Sequence, residues 1–185
     1  MKKKLILASV SPRRKEILKK AGYDFLVVPS NYSEKISNLE YSSSLVENCA
    51  YNKAYDVIKR QKGIVVAADT VVVLEGIILG KPKDKKEAFL MLKNLSNKTH
   101  FVTTSICLMD SNKVLLDGEV TYVTFRKLSD CEIINYIEQK NPLDKAGSYG
   151  IQDENFDFAV QIKGELDNVI GFPIKLFNSM MDSFV

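Results

Sequence analysis

Arg13 and Arg14 follow directly on the turn Ser9-Val10-Ser11-Pro12, at the start of a segment whose pattern predicts a helix. A helix N-terminus already carries roughly half a positive charge on its free backbone N–H groups. Two further cations there raise the energy of the site until an anion arrives. The hydroxyls of Ser9 and Ser11, the open backbone donors and two planar guanidinium forks together suit a phosphate group. The competing reading leaves both arginines as solvated residues on an exposed first turn.

A second anomaly lies in "IVVAADTVVVL", residues 64–74. The run is apolar enough for a strand covered on both faces, except at Asp69 and Thr70. An ionised carboxylate inside such a strand is costly unless it meets a metal or a hydrogen-bonding partner. Asp69 could therefore hold Mg²⁺ or take a proton from an attacking water, at a point where the strand opens into a cleft. The alternative is a structural aspartate satisfied by Thr70 and nearby backbone donors. Lys53 and Lys81 could neutralise phosphate oxygens, Lys53 from the apolar stripe of a helix and Lys81 from the rigid turn Gly80-Lys81-Pro82. Each has a plain alternative, a snorkelling stem for Lys53 and a solvated loop side chain for Lys81. Glu34 follows a strand in a polar loop, and Gln152 carries an amide able to read a base edge. His100, the sole histidine, reads as a strand-edge residue.

The elements that must hold these residues follow from period and punctuation. Residues 5–8 read as a buried strand. Ser11 and Pro12 open a helix that buries Ile17, Leu18 and Ala21 and stops at Gly22. Residues 25–28 form a second strand, and residues 43–59 a helix with Val46, Cys49, Ala50, Lys53 and Val57 on one stripe. After strand 64–74, residues 76–82 read as a turn-rich connection. Asp84 with Glu87 opens a helix to about Leu95. Two strands joined through 110–113 come next, then a capping box at Ser129 and Glu132 opening a helix that Asn141-Pro142 stops. "DKAGSYGIQ" is a glycine-punctuated loop, "FAVQI" a strand, and Pro173 opens a terminal helix. Alternating helices and strands followed by a hairpin predict an α/β fold with a mixed sheet.

The chain has 185 residues, 45% hydrophobic and 26% charged, enough for one domain with a real core. Its net charge of +3 is small and its charges are interspersed, so no basic tail points to nucleic acid. The three cysteines, Cys49, Cys107 and Cys131, are far apart and read as buried reduced thiols rather than a zinc or disulfide set. The opening Met-Lys-Lys-Lys resembles the start of a signal peptide, but the apolar run after it is too short for one or for a membrane span. A cytoplasmic protein is expected. There is no G-x-S-x-G, Walker A or H-E-x-x-H motif, which removes support for serine-hydrolase, P-loop and zincin chemistry.

"LASVSPRRKEIL", "AADTVVVLEGIILGKP", "DKAGSYGIQ" and "NVIGFPI" resemble, in order and spacing, the signature segments of the Maf family of nucleoside triphosphate pyrophosphatases. The resemblance spans nearly the whole chain. It implies the Maf/ITPase-like α/β fold, a mixed twisted sheet with flanking helices and two lobes around a central cleft. It also implies a Mg²⁺- or Mn²⁺-dependent cut between the α- and β-phosphates, and a family association with septum formation and division arrest. Asp69 matches the family's catalytic base and a metal ligand. Ser9, Arg14, Glu34, Lys53 and Lys81 match cleft residues for phosphate and metal, with Glu34 on the metal. Arg13, Thr70 and Gln152 match the positions that set substrate choice, and their identities resemble the dTTP and UTP branch. The chain departs from the pattern after Gln152, where "DENFDF" replaces glycine and small residues. The expected partner is a nucleoside triphosphate, with no membrane or nucleic acid, and a homodimer as one further expectation. Two other readings stay open: a nucleotide-sensing or nucleic-acid-binding division regulator with little turnover, and a pyrophosphatase acting on ITP.

Overall fold

The computed structural model describes residues 4–184; residues 1–3, which begin the basic opening, and residue 185 lie outside the described residues. β3 (Ile64–Leu74), the most buried of the long strands, is the axis of a seven-stranded mixed sheet. β1 (Leu5–Leu7) runs parallel to its first half, and β2 (Phe25–Val27) is parallel to β1. On its other side β3 pairs antiparallel with β5 (Thr99–Met109), followed by β6 (Val114–Phe125) and the edge strand β7 (Ala159–Lys163). A short β4 (Ile77–Leu79) folds back on the far half of β3. The sequence reads the segment containing it as a turn-rich connection, with no strand. Its three residues are too few to show a period, and Gly76 hides them in an apparent loop.

Because side chains alternate across a strand, β3 buries Val65, Ala67, Val71 and Val73 on one face and Val66, Ala68, Val72 and Leu74 on the other. The first face is covered by α2 (Ser43–Ile58), through Val46, Ala50, Ala54 and Val57. The second face carries α1 (Pro12–Lys20) and α6 (Ile174–Phe184) at one end of the strand. At the other end it carries α3 (Lys85–Leu95) and α4 (Asp130–Lys140). A polar layer separates these two apolar clusters. Thr70 and Thr104 meet at 2.9 Å, Thr104 donates to the Asn168 carbonyl, and the Asn168 amide donates to Val102 and Thr121. Asn168 belongs to the short α5 (Leu166–Ile170), whose single turn gave no sequence signal.

The expected caps form with small differences. Ser129 and Glu132 make a full capping box. At α3, Asp84 accepts from the Glu87 N–H, but the Glu87 carboxylate reaches back to the Lys83 N–H instead. Ala21 is the exposed C-cap of α1 rather than part of its buried face. Cys49 and Cys107 are buried thiols as expected, whereas Cys131 is exposed, because α4 turns Ile133, Tyr136 and Ile137 inward and leaves it off that stripe. Among the described residues no helix is long and apolar enough to cross a membrane.

His100 is not at a strand edge. It lies inside β5, 2% exposed, edge-on to the Phe125 ring, with Nε2 at 2.7 Å from the Tyr149 hydroxyl and Nδ1 without a hydrogen-bond partner among the described residues. Burial holds its pKa down at about 4. The unfolded chain, titrating at the ordinary 6.5, binds a proton before the native state does. Stability present above pH 6.5 is therefore lost as the pH falls toward 4, by roughly 3 kcal/mol. Thermal melts from pH 7 to pH 4 are expected to show this decline, and His100→Gln to flatten it over that window.

Candidate active site

The sheet has a gap. β1 covers the edge of β3 as far as Val66, and β4 covers it again only from Val72. Between them the backbone edge of residues 68–71 has no neighbouring strand among the described residues, while the opposite edge stays paired, Asp69 with Ser105 and Thr70 with Thr104. As the sequence suggests, the strand runs through Asp69 and opens into a cleft there, and the opening is sideways, through the missing neighbour. That cleft has a volume of about 710 Å³ and brings together Ser9, Arg13, Arg14, Glu34, Lys53, Asp69, Thr70, Lys81 and Gln152, all the candidate residues read from the sequence.

Strand alternation sends Asp69 and Thr70 to opposite faces of the sheet. Asp69 turns toward α2 and accepts from the Lys53 ammonium. Lys53 also contacts Glu34 at 2.6 Å, and Lys81 lies 3.8 Å from the other Glu34 oxygen. One ammonium thus sits between two carboxylates. Lys53 does not snorkel: its side chain is 12% exposed and ends in this cluster. Burial pushes the Asp69 carboxyl above its ordinary value, opposed by Lys53 and reinforced by the neighbouring Glu34 charge. Burial also works to raise Glu34, but Lys53, Lys81 and Arg14 outweigh it and hold that carboxyl below the usual range. The two carboxylates therefore differ in proton affinity although they share one cation.

Thr70 turns to the other face, where Arg14 binds the open edge. Its Nη1 donates to the Ala68 carbonyl at 2.9 Å and to Ser9 Oγ at 3.3 Å. Its Nη2 donates to Thr70 Oγ1 at 3.1 Å, and Nε to the Gly171 carbonyl at 3.0 Å. Arg14 so replaces a missing strand, satisfying a backbone acceptor that the sheet leaves unpaired. Its charge is less free for a ligand than the sequence suggested. Arg13 is also engaged, with Asp144 at 3.2 Å, though Asp144 is well exposed and can yield to a stronger anion. Ser11 caps α1 without a side-chain hydrogen bond to its first turn. That helix end consequently keeps its donors for another partner.

Sequence reasoning missed Asp144 and Lys145, which line the cleft from the "DKAGSYGIQ" loop. The adjacent Asp-Lys pair was a weak signal, since such pairs abound on surfaces. Gly80 has a reason beyond its turn. A Cβ there would lie 1.8 Å from Ser37 Oγ, so a larger residue before Lys81 would displace Ser37 from the cleft wall.

No three His, Cys, Asp or Glu side chains gather into a metal cluster among the described residues. Glu34 and Asp69 supply two hard oxygen donors already converging on one cation. Two carboxylates suit Mg²⁺ or Mn²⁺ when phosphate oxygens and water complete the shell.

The sequence profile of the family described as "Maf-like protein" matches residues 4–184. A dTTP/UTP pyrophosphatase from Thermoanaerobacter sp. (strain X514) is 45% identical over 186 residues, covering 98% of this chain and 97% of the relative. A protein of the same description from Thermococcus onnurineus (strain NA1) is 46% identical, covering 93% of each chain. Among solved structures, the Ham1 protein of Staphylococcus aureus aligns with a TM-score of 0.49 at 15% identity, over 66% of this chain and 72% of that one.

Proposed function

The chain belongs to the Maf-like protein family, and from that premise we propose that it hydrolyses pyrimidine nucleoside triphosphates, dTTP and UTP among them, to the monophosphate and pyrophosphate. What supports this activity is one juxtaposition: the Glu34–Lys53–Asp69 cluster on one face of β3 and the uncapped end of α1 on the other, joined through a gap in the sheet. A volume of about 710 Å³ lies within the roughly 300–1,000 Å³ of small-molecule sites.

The triphosphate lies with its negative oxygens against Lys53, Lys81 and the α1 N-terminus, and displaces Asp144 from Arg13. These cations lower the cost of charge building on the phosphoryl oxygens as the anhydride breaks. Asp69, disposed by burial to accept a proton, holds and deprotonates the water whose oxygen attacks phosphorus. The bridging oxygen leaves with one phosphoryl product, and the proton passes from Asp69 to solvent. Ser9 and Thr70, both held by Arg14, fix the floor beneath the phosphates. Gln152, in the cleft lining, offers a donor and an acceptor to the base. Glu34 and Asp69 would hold Mg²⁺ or Mn²⁺, which when bound adds Lewis-acid neutralisation of the phosphate oxygens.

Purified protein with Mg²⁺ or Mn²⁺ is expected to release pyrophosphate from UTP and dTTP at least tenfold faster, in kcat/KM, than from ITP, about 1.4 kcal/mol of discrimination. Excess EDTA stops the release. Equal or greater turnover of ITP would reject the pyrimidine preference, and orthophosphate as first product would reject the α–β cut.

A further inference from the structure

The loop that carries Gln152 is held by side chains outside the phosphate machinery. Tyr136, buried on the inward face of α4, donates its hydroxyl to Asp153 Oδ2 at 2.6 Å and accepts the Gly150 N–H at 2.9 Å. Lys145 donates to the same Oδ2 at 3.0 Å, and the Asp153 N–H donates to the Gly150 carbonyl at 3.0 Å. The Asp153 and Lys145 side chains are only 15% and 13% exposed. A Cβ at Gly150 would fall 2.7 Å from Asp153 Oδ2, so the carboxylate packs directly on glycine backbone. The turn from Gly150 to Asp153 is thus closed at both ends, with Ile151 and Gln152 at its tip lining the cleft. Asp153 is also the first residue of "DENFDF", where the chain departs from the pattern it otherwise resembles.

An exposed carboxamide on a loose loop discriminates poorly, because ordering it costs the rotamer and backbone freedom that its hydrogen bonds must first recover. With its backbone pinned on both sides, Gln152 has only side-chain rotamers left to order when its donor and acceptor meet a base. The geometry points to Asp153 as a positioning residue that, through Tyr136 and Gly150, fixes Gln152 against the nucleobase and so sets base affinity without touching the phosphates. This rests on the pyrophosphatase function proposed above. It separates two halves of the substrate: base recognition depends on the clamp, and phosphate recognition does not.

The test compares two probes by calorimetry, α,β-methylene-UTP, which carries the base, and inorganic tripolyphosphate, which does not. Asp153→Ala is expected to weaken the nucleotide about tenfold, the effect of one neutral hydrogen bond, and to leave tripolyphosphate within about twofold. In turnover the same variant raises KM for UTP about tenfold and keeps kcat within about threefold. Asp153→Asn, whose carbonyl still accepts from Tyr136, recovers most of the loss. Equal weakening of both probes, or no change in either, overturns the inference. Should Asp153→Ala fail to fold, Tyr136→Phe removes one hydroxyl and keeps the ring. It must lower the ratio of nucleotide to tripolyphosphate affinity at least threefold, and an unchanged ratio overturns the inference. A wild-type protein that releases no pyrophosphate from any nucleotide overturns the proposed activity alone, since the affinity ratio still reports on the clamp.

Discussion

Asp69→Asn is expected to lower pyrophosphate release from UTP by about 10²–10⁴-fold, the range for losing a positioned general base. At 10³-fold this is about 4 kcal/mol of transition-state stabilisation. KM should change little, because the phosphates meet Lys53, Lys81 and the α1 end rather than Asp69. Stability should not fall with activity. Burial raises the Asp69 carboxyl above 3.8, so the unfolded chain gives up its proton first. Each step of pH from there to the native value then favours unfolding. An amide removes that penalty, and its carbonyl still accepts from Lys53, which keeps Glu34 as its ionic partner at 2.6 Å. A melting temperature at or above the wild-type value, beside a collapse in turnover, separates lost chemistry from lost fold. If raising Mg²⁺ restores full turnover in the variant, the loss came from weakened metal binding alone and the role of Asp69 as base is rejected. Turnover within threefold of wild type removes it from the mechanism.

Why Asp69 and the arginines were conspicuous in the sequence, while their partners were not, follows from the range of the forces. A carboxylate in "IVVAADTVVVL" contradicts its neighbours within a few residues, and two arginines after a Ser-x-Ser-Pro turn contradict a helix dipole locally. Elements long enough to span several periods were equally legible: β3 at Ile64–Leu74, and β5 and β6 joined at the expected turn. The gap in the sheet was not legible. Which edge of β3 lacks a neighbour depends on where β1 ends and β4 begins, and β4 is three residues with no period to detect. The saturation of Arg14 was hidden for the same reason, since its acceptors at Ala68 and Gly171 lie 54 and 157 residues away. Lys53 was half legible: the helical stripe marked it as an intruder on an apolar face, but only the fold shows that two acids meet it there.

Those two acids make Lys53→Met the most informative second experiment. Removing the ammonium leaves Glu34 and Asp69 converging on a site with no cation, one carboxylate almost fully buried and the other about a third exposed. Breaking a buried ion pair by deleting one partner typically costs about 3–5 kcal/mol. Solvent at Glu34 screens part of this, so a loss of about 2–3 kcal/mol is expected, read as a lower denaturation midpoint at pH 7 with an unchanged m-value. The methionine stem refills the volume left by the lysine, so the loss is electrostatic rather than a cavity effect. Lowering the pH should then narrow the gap to wild type, because protonating either acid relieves the repulsion. Mg²⁺ should narrow it as well. A dication bound only by the folded variant returns RT ln(1 + [L]/Kd), about 2.7 kcal/mol at a hundredfold excess over Kd. In the wild-type protein Lys53 already occupies the point of convergence, and the same Mg²⁺ addition without nucleotide should shift the midpoint far less. A larger shift in the wild type would mean that the ammonium and the metal bind side by side, and that Lys53 does not compete for the two carboxylates.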